Sequence, residues 1–206
     1  MQVASMAAGF LLATLVTGPL WMQSADKKRF THPWPENQEA AMKRWMDTCK
    51  VGPPHERLGE LIGKYDTTMR MKMGPDQPAM EAKGSAEISW LIEGRWLQIK
   101  GQGSMMGKPV TSFTTLGYDN FKQRYVSATV DSFTTTMNTA SGLFDQTPDN
   151  LILWGTIDEP MTPEQDKTVK YVWRGFGKDQ FVFEVHDMMI GESNTKVMEW
   201  EYVRKK

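Results

Sequence analysis

The sequence predicts an all-β protein, a ten-stranded antiparallel up-and-down barrel preceded by two short helices. Three observations carry this. From Gly63 to Arg204 the apolar pattern has a period of two, the alternation of a strand with one face buried. Nearly every gap between the alternating runs holds Gly, Pro, Asn or Asp, the residues that turns require. The runs recur at a spacing of about a dozen residues, and a meander of that length leaves two edges unpaired unless it closes. A barrel of eight to ten strands is about wide enough to hold one small ligand.

The elements follow in order. Met42, Trp45, Met46 and Cys49 recur at three- and four-residue spacing, one face of a helix, with Glu36 and Glu39 at its start and Lys43, Arg44 and Lys50 later, as the helix dipole favours. Gly52-Pro53-Pro54 breaks it, and His55–Gly63 forms a second short helix with Leu58, Leu61 and Ile62 on one side. In the first strand Tyr65, Thr67, Met69, Met71 and Met73 oppose Asp66, Thr68, Arg70 and Lys72. Strands follow at about 80–90, 96–102, 110–117, 124–131, 134–144 and 151–157, and a polar loop spans 158–166. The last three alternate most cleanly: Val169, Tyr171 and Trp173; Phe181, Phe183 and Val185; Met198, Trp200 and Tyr202. The turns between them are Gly177-Lys178-Asp179 and Gly191-Glu192-Ser193-Asn194.

Before the fold comes a different kind of sequence. Residues 1–25 read as a hydrophobic leader, 26–35 as a charged, Pro-containing linker, and 36–206 as a single barrel domain with its helices at 36–62. The apolar run Val3–Met22 is long enough for a signal core or a marginal membrane span, which points to a periplasmic, secreted or membrane-anchored protein. No Lys or Arg precedes that run, and Lys27, Lys28 and Arg29 follow it, so a cytoplasmic protein, with Met22 as the start, is the alternative.

Composition excludes several classes. The formal net charge is −1 with no basic stripe, which argues against a nucleic-acid partner. The single cysteine, Cys49, permits no intramolecular disulfide or CxxC site, and is read as a small apolar side chain on the first helix, with a free thiol or a link between two chains of a homodimer as alternatives. A membrane-spanning barrel would need a continuous outward apolar band, and several strands carry Thr, Ser and Lys on one face. Sixteen Met and eight Trp suggest an irregular, adaptable core.

Catalytic signatures are sparse. No Gly-x-Ser-x-Gly elbow appears, and Gly101–Pro109 is a hairpin rather than a phosphate loop. His32 lies in the linker, and His55 before Glu56 reads as a helix-start arrangement rather than a metal pair. His186 sits beside Asp187, so a Ser-His-Asp arrangement is conceivable by composition alone. The pairs Asp158/Glu159 and Glu199/Glu201 read as solvated charges, and Thr129, Thr134, Thr135, Thr136 and Thr139 as strand formers able to offer hydroxyls to a pocket.

The stretches PHERLGELIGKYD, KGSAEISWLIEGRWLQIKGQGSMMGKP, TTLGYDNFKQRYVSATVDS, DEPMT and VMEWEYVRKK resemble, in order and spacing, the bacterial domain of unknown function 1579 family, over all but the leader. That resemblance implies a lipocalin- or fatty-acid-binding-protein-like barrel and no established activity. Gly63-Lys64-Tyr65 is similar to the Gly-x-Trp entry of lipocalins, with Tyr in place of Trp. Some barrels of this superfamily hold haem through a histidine near the C-terminus. Alternation sets His186 opposite Phe181 and Phe183, toward solvent if the aromatic face is interior, so no cofactor is expected.

The reading that follows is non-enzymatic binding of a small hydrophobic or amphipathic ligand in a pocket lined by Met69, Met71, Trp173, Phe183, Trp200 and Tyr202, with Arg70, Arg95 or Arg174 available for a carboxylate head group. The alternatives are a structural or interaction domain whose barrel is filled and whose first helix closes one end or docks on a partner, and an enzyme of unidentified class.

Overall fold

A computed structural model describes residues 37–72, 74, 77–188 and 195–206. The leader, the linker with His32, Glu36, Met73 and the Gly191–Asn194 turn lie outside them. The chain divides into two compact units, residues 1–47 and 48–206.

Helix α1 (Gln38–Thr48) lies almost wholly in the first unit. Asn37 starts it: its Oδ1 accepts the backbone N–H of Ala40 at 2.9 Å, satisfying one of the donors a helix start leaves open. Met42, Trp45 and Met46 on its apolar stripe are exposed. The reading of Cys49 as an apolar side chain on the helix is corrected: it lies just past the helix and is exposed, the free thiol of the alternative reading.

The second unit is a closed antiparallel barrel. Its strands are β1 (Gly63–Met71), β2 (Met80–Ile92), β3 (Trp96–Met105), β4 (Lys108–Asp119), β5 (Arg124–Asp131), β6 (Asn138–Phe144), β7 (Asn150–Glu159), β8 (Glu164–Arg174), β9 (Gln180–Asp187) and β10 (Thr195–Arg204). Each pairs with its sequence neighbours, and β10 returns to pair with β1, Met69 facing Trp200 and Tyr65 facing Arg204. Closure leaves no edge strand to protect.

Helix α2 (Pro53–Leu58), continued by a 3₁₀ turn (Gly59–Leu61), stops one mouth of the barrel. Pro53 and Pro54 do more than end α1: they open α2, where a missing N–H costs nothing. Leu58 and Leu61 are fully buried among Tyr65, Leu97, Leu116, Leu151 and Phe181, all at 0–1% exposure. Each such side chain contributes about 1.5–3 kcal/mol of transfer free energy. Tyr65 ties the plug to the wall, donating its hydroxyl to the Leu61 carbonyl at 2.7 Å. Arg57 lies 3.6 Å above the Phe144 ring, and the Tyr125 hydroxyl donates to the Pro54 carbonyl.

Strand limits differ from expectation most at the start of the sixth strand and around the 158–166 loop. The sixth strand begins at Asn138 rather than Thr134, because the Asp131 carboxylate gathers the N–H groups of Phe133 and Thr134 and the Thr134 hydroxyl into a turn. The 158–166 loop shrinks to residues 160–163, since Glu159 and Glu164 still face each other across β7 and β8. The β3–β4 hairpin turns on Met106 and Gly107, both at positive φ (50° and 74°), the geometry whose twist matches a two-residue hairpin.

Candidate functional site: the inner wall

Pleating puts residues of one parity inside. On β1, β10, β9 and β8 these are large, and the register lines them into rows. Met69 faces Trp200, Trp200 faces Phe183, and Phe183 faces Trp173. In the next row Met71 faces Met198, Met198 faces Val185 and Val185 faces Tyr171. Tyr202, beside Phe181, belongs to the row nearer α2. All six side chains expected to line the interior are therefore on the inner face, and the four aromatic ones meet. Ring centroids lie 4.8 Å apart for Trp173 and Phe183, 5.7 Å for Phe183 and Trp200, and 6.4 Å for Trp173 and Tyr202.

Across the lumen the wall carries small residues at several inward positions, among them Gly84, Gly101, Ser127, Ala140, Gly142 and Gly155, interspersed with larger ones such as Leu97, Ile99 and Leu116. Near α2 the large side chains fill the space the small ones leave. Farther along, Tyr171, Phe183, Met198 and Trp200 are only partly buried although they face inward. Thr114 and Thr129 share a 2.8 Å hydroxyl contact on the small-residue side. Of the other threonines considered for a pocket, Thr134, Thr135 and Thr136 lie in the loop before β6, and Thr139 is exposed.

Two polar groups of β8 stand out on this wall. The Tyr171 hydroxyl and the Trp173 Nε1–H are buried and meet no hydrogen-bonding atom among the described residues. Buried Tyr and Trp normally find a partner. Burial also pushes the Tyr171 phenol up to about 12, so it stays a neutral O–H.

On the same strand, Lys167 also has the inward parity. Its Nζ lies 2.6 Å from the Asp187 carboxylate and 3.0 Å from Glu164. Burial alone would depress this ammonium, but the bonds to the two carboxylates outweigh it and raise its pKa. Lys167 is the one buried Lys or Arg among the described residues. Sequence reading missed this cluster, because Lys167 follows a polar loop and Asp187 was considered only as a neighbour of His186.

The arginines expected to meet a ligand carboxylate do not face the lumen. Arg70 lies on the outer wall between Glu81, Glu199 and Glu201, which explains how two like charges share one strand face there. Arg174 pairs with Glu184 on the same wall, and Arg95 donates to the Cys49 carbonyl. His186 also has outward parity, with Nε2 2.9 Å from Glu184, yet neighbours leave its side chain only 12% exposed. His186 and Asp187 point to opposite sides of the sheet, so they do not form a triad. Asp158 and Glu159 cap turn N–H groups. His55 is buried, its Nδ1 accepting the Gly52 N–H and its ring edge-on to Tyr118.

Among the described residues no group of three His, Cys, Asp or Glu is placed to hold a metal, and no helix is long and apolar enough to cross a membrane. Two depressions of about 150 and 160 Å³ lie at the β1–β10 rim by Arg70 and Met198 and on the outer wall by Lys64 and Lys100.

Fold and wall define a ten-stranded barrel protein with an aromatic, partly open interior. The chain belongs to the family described as "protein of unknown function (DUF1579)", whose model matches residues 50–204. Among solved structures it is similar to Rv2717c from M. tuberculosis, with a TM-score of 0.58 at 16% identity, covering 76% of this chain and 100% of that one. At that identity the likeness is one of fold. No curated protein matches the chain.

Proposed function

We propose that this protein binds a small apolar or amphipathic molecule inside the barrel and does no chemistry on it. The observation that carries the reading is the pair of unpartnered donors, the Tyr171 hydroxyl and the Trp173 indole N–H, on two side chains whose rings both pack on Phe183. Leaving such groups unsatisfied costs about 1–3 kcal/mol each, and an acceptor on a bound molecule removes that cost. An apolar wall with a few fixed polar groups is the usual make-up of a small-molecule site.

A filled, purely structural barrel is the second reading, favoured by the tight packing of large against small residues next to α2. A titration with Nile red, a neutral apolar fluorophore, separates the two. Saturable binding that octanol displaces, weakened when Trp173 is replaced by Phe, supports the lumen as a site. A signal that never saturates, or that octanol leaves unchanged, supports the filled barrel.

A further inference from the structure

Resting on the binding reading above, we propose that the lumen selects a cationic amphiphile, an apolar body with an ammonium head and a nearby oxygen acceptor, over a fatty-acid-like carboxylate. Charge on the inner wall is the first ground. Lys167 is already held by Asp187 and Glu164, so its ammonium is taken and does not stand open to a ligand carboxylate. The three arginines expected to answer a carboxylate are held elsewhere, by Glu81, Glu184, Glu199 and Glu201 and by the Cys49 carbonyl.

Position is the second ground. Asp187 faces Val169, the inward position between Lys167 and Tyr171. The charged cluster is thus about 7 Å, one inward step along the strand, from the Tyr171 row. A chain lying against Phe183 and Trp200 brings a head group to these carboxylates.

Ring chemistry is the third. Tyr171, Phe183 and Trp200 are only partly buried, and aromatic rings are electron-rich on their faces, so they attract a cation while offering an anion nothing. The Trp173 Nε1–H, on a side chain 3% exposed, is a donor only and calls for an oxygen acceptor on the ligand body.

The test is isothermal titration at neutral pH with a chain-matched set: octylamine, octanol and octanoate, with 1-amino-2-octanol as the acceptor-bearing amine. Both amines should bind about tenfold more tightly than octanoate, the amino alcohol the tighter of the two. Glu164→Gln, a change at a side chain 38% exposed, should weaken octylamine several-fold and leave octanol unchanged. Octanoate binding as tightly as octylamine, or Glu164→Gln weakening octanol equally, overturns the charge selection while leaving a binding site in place. Binding of none of the four overturns the selection and the binding reading together.

Discussion

The ammonium of Lys167 lies 2.6 Å from the carboxylate of Asp187, with side-chain exposures of 7% and 6%, on the inward parity of β8 and β9. Two charges withdrawn from water are tolerable only while each satisfies the other. Asp187→Asn keeps the shape but leaves the ammonium with the more exposed Glu164 alone. It should lower the unfolding free energy by about 3 kcal/mol, read as a shift of the urea midpoint. The double change Lys167→Met with Asp187→Leu should recover most of that loss. A single variant with an unchanged midpoint would show that the pair is not truly desolvated.

Tyr65 joins the α2 plug to the wall through its bond to the Leu61 carbonyl. Tyr65→Phe removes the donor, leaves a buried acceptor unpaired and should cost about 1–2 kcal/mol in the same urea experiment. Amide exchange of the α2 segment should quicken first, since that bond is its tie to β1.

Acid should loosen the plug before it touches the outer-wall carboxylates. Burial, with the nearby Arg95 charge, holds the His55 imidazole below its ordinary value. A group whose pKa is lower in the folded state binds more protons when unfolded, so its contribution is full above the unfolded value of about 6.5 and declines as pH falls below it. Thermal midpoints at pH 7.5 and 5.5 should differ in the wild type and converge in His55→Gln. Glu184 and Glu199, also held low in the fold, lose their contributions further down, below about pH 4.5.

Gly177 turns the β8–β9 hairpin at φ 82°, and a side chain there would run into Glu60. Gly177→Ala combines left-handed strain with a shifted Glu60 and should cost about 1–2 kcal/mol by thermal melting. Gly52→Ala, with φ −156° and open space around the added methyl, should cost far less.

The barrel was legible because its code is local. Alternation in Val169–Trp173, Phe181–Val185 and Met198–Tyr202 sets strand and face together, and once Phe181 is inside, register carries Trp173 and Tyr202 with it. Hairpin turns gave the order of strands for the same reason. What did not read out was set by contacts distant in sequence. Thr134–Met137 has strand composition, yet the Asp131 carboxylate bends it. Arg70 and Arg174 look like anion anchors until the outward carboxylates that occupy them are seen. Lys167 resembles a solvated loop residue, and only the β8–β9 register places it against Asp187. The contrast between the large and small halves of the wall is likewise a property of closure, invisible strand by strand.

The claim on which this account turns is that part of the interior is open to a guest. Native mass spectrometry of the protein purified from its own cells, beside an Ala82→Trp variant, tests it directly, because Ala82 faces Met69 on the inner wall and a tryptophan there would fill the lumen. One small molecule retained per wild-type chain and a bare mass for the variant are expected. A bare wild-type chain, or the same adduct on both, would contradict that claim.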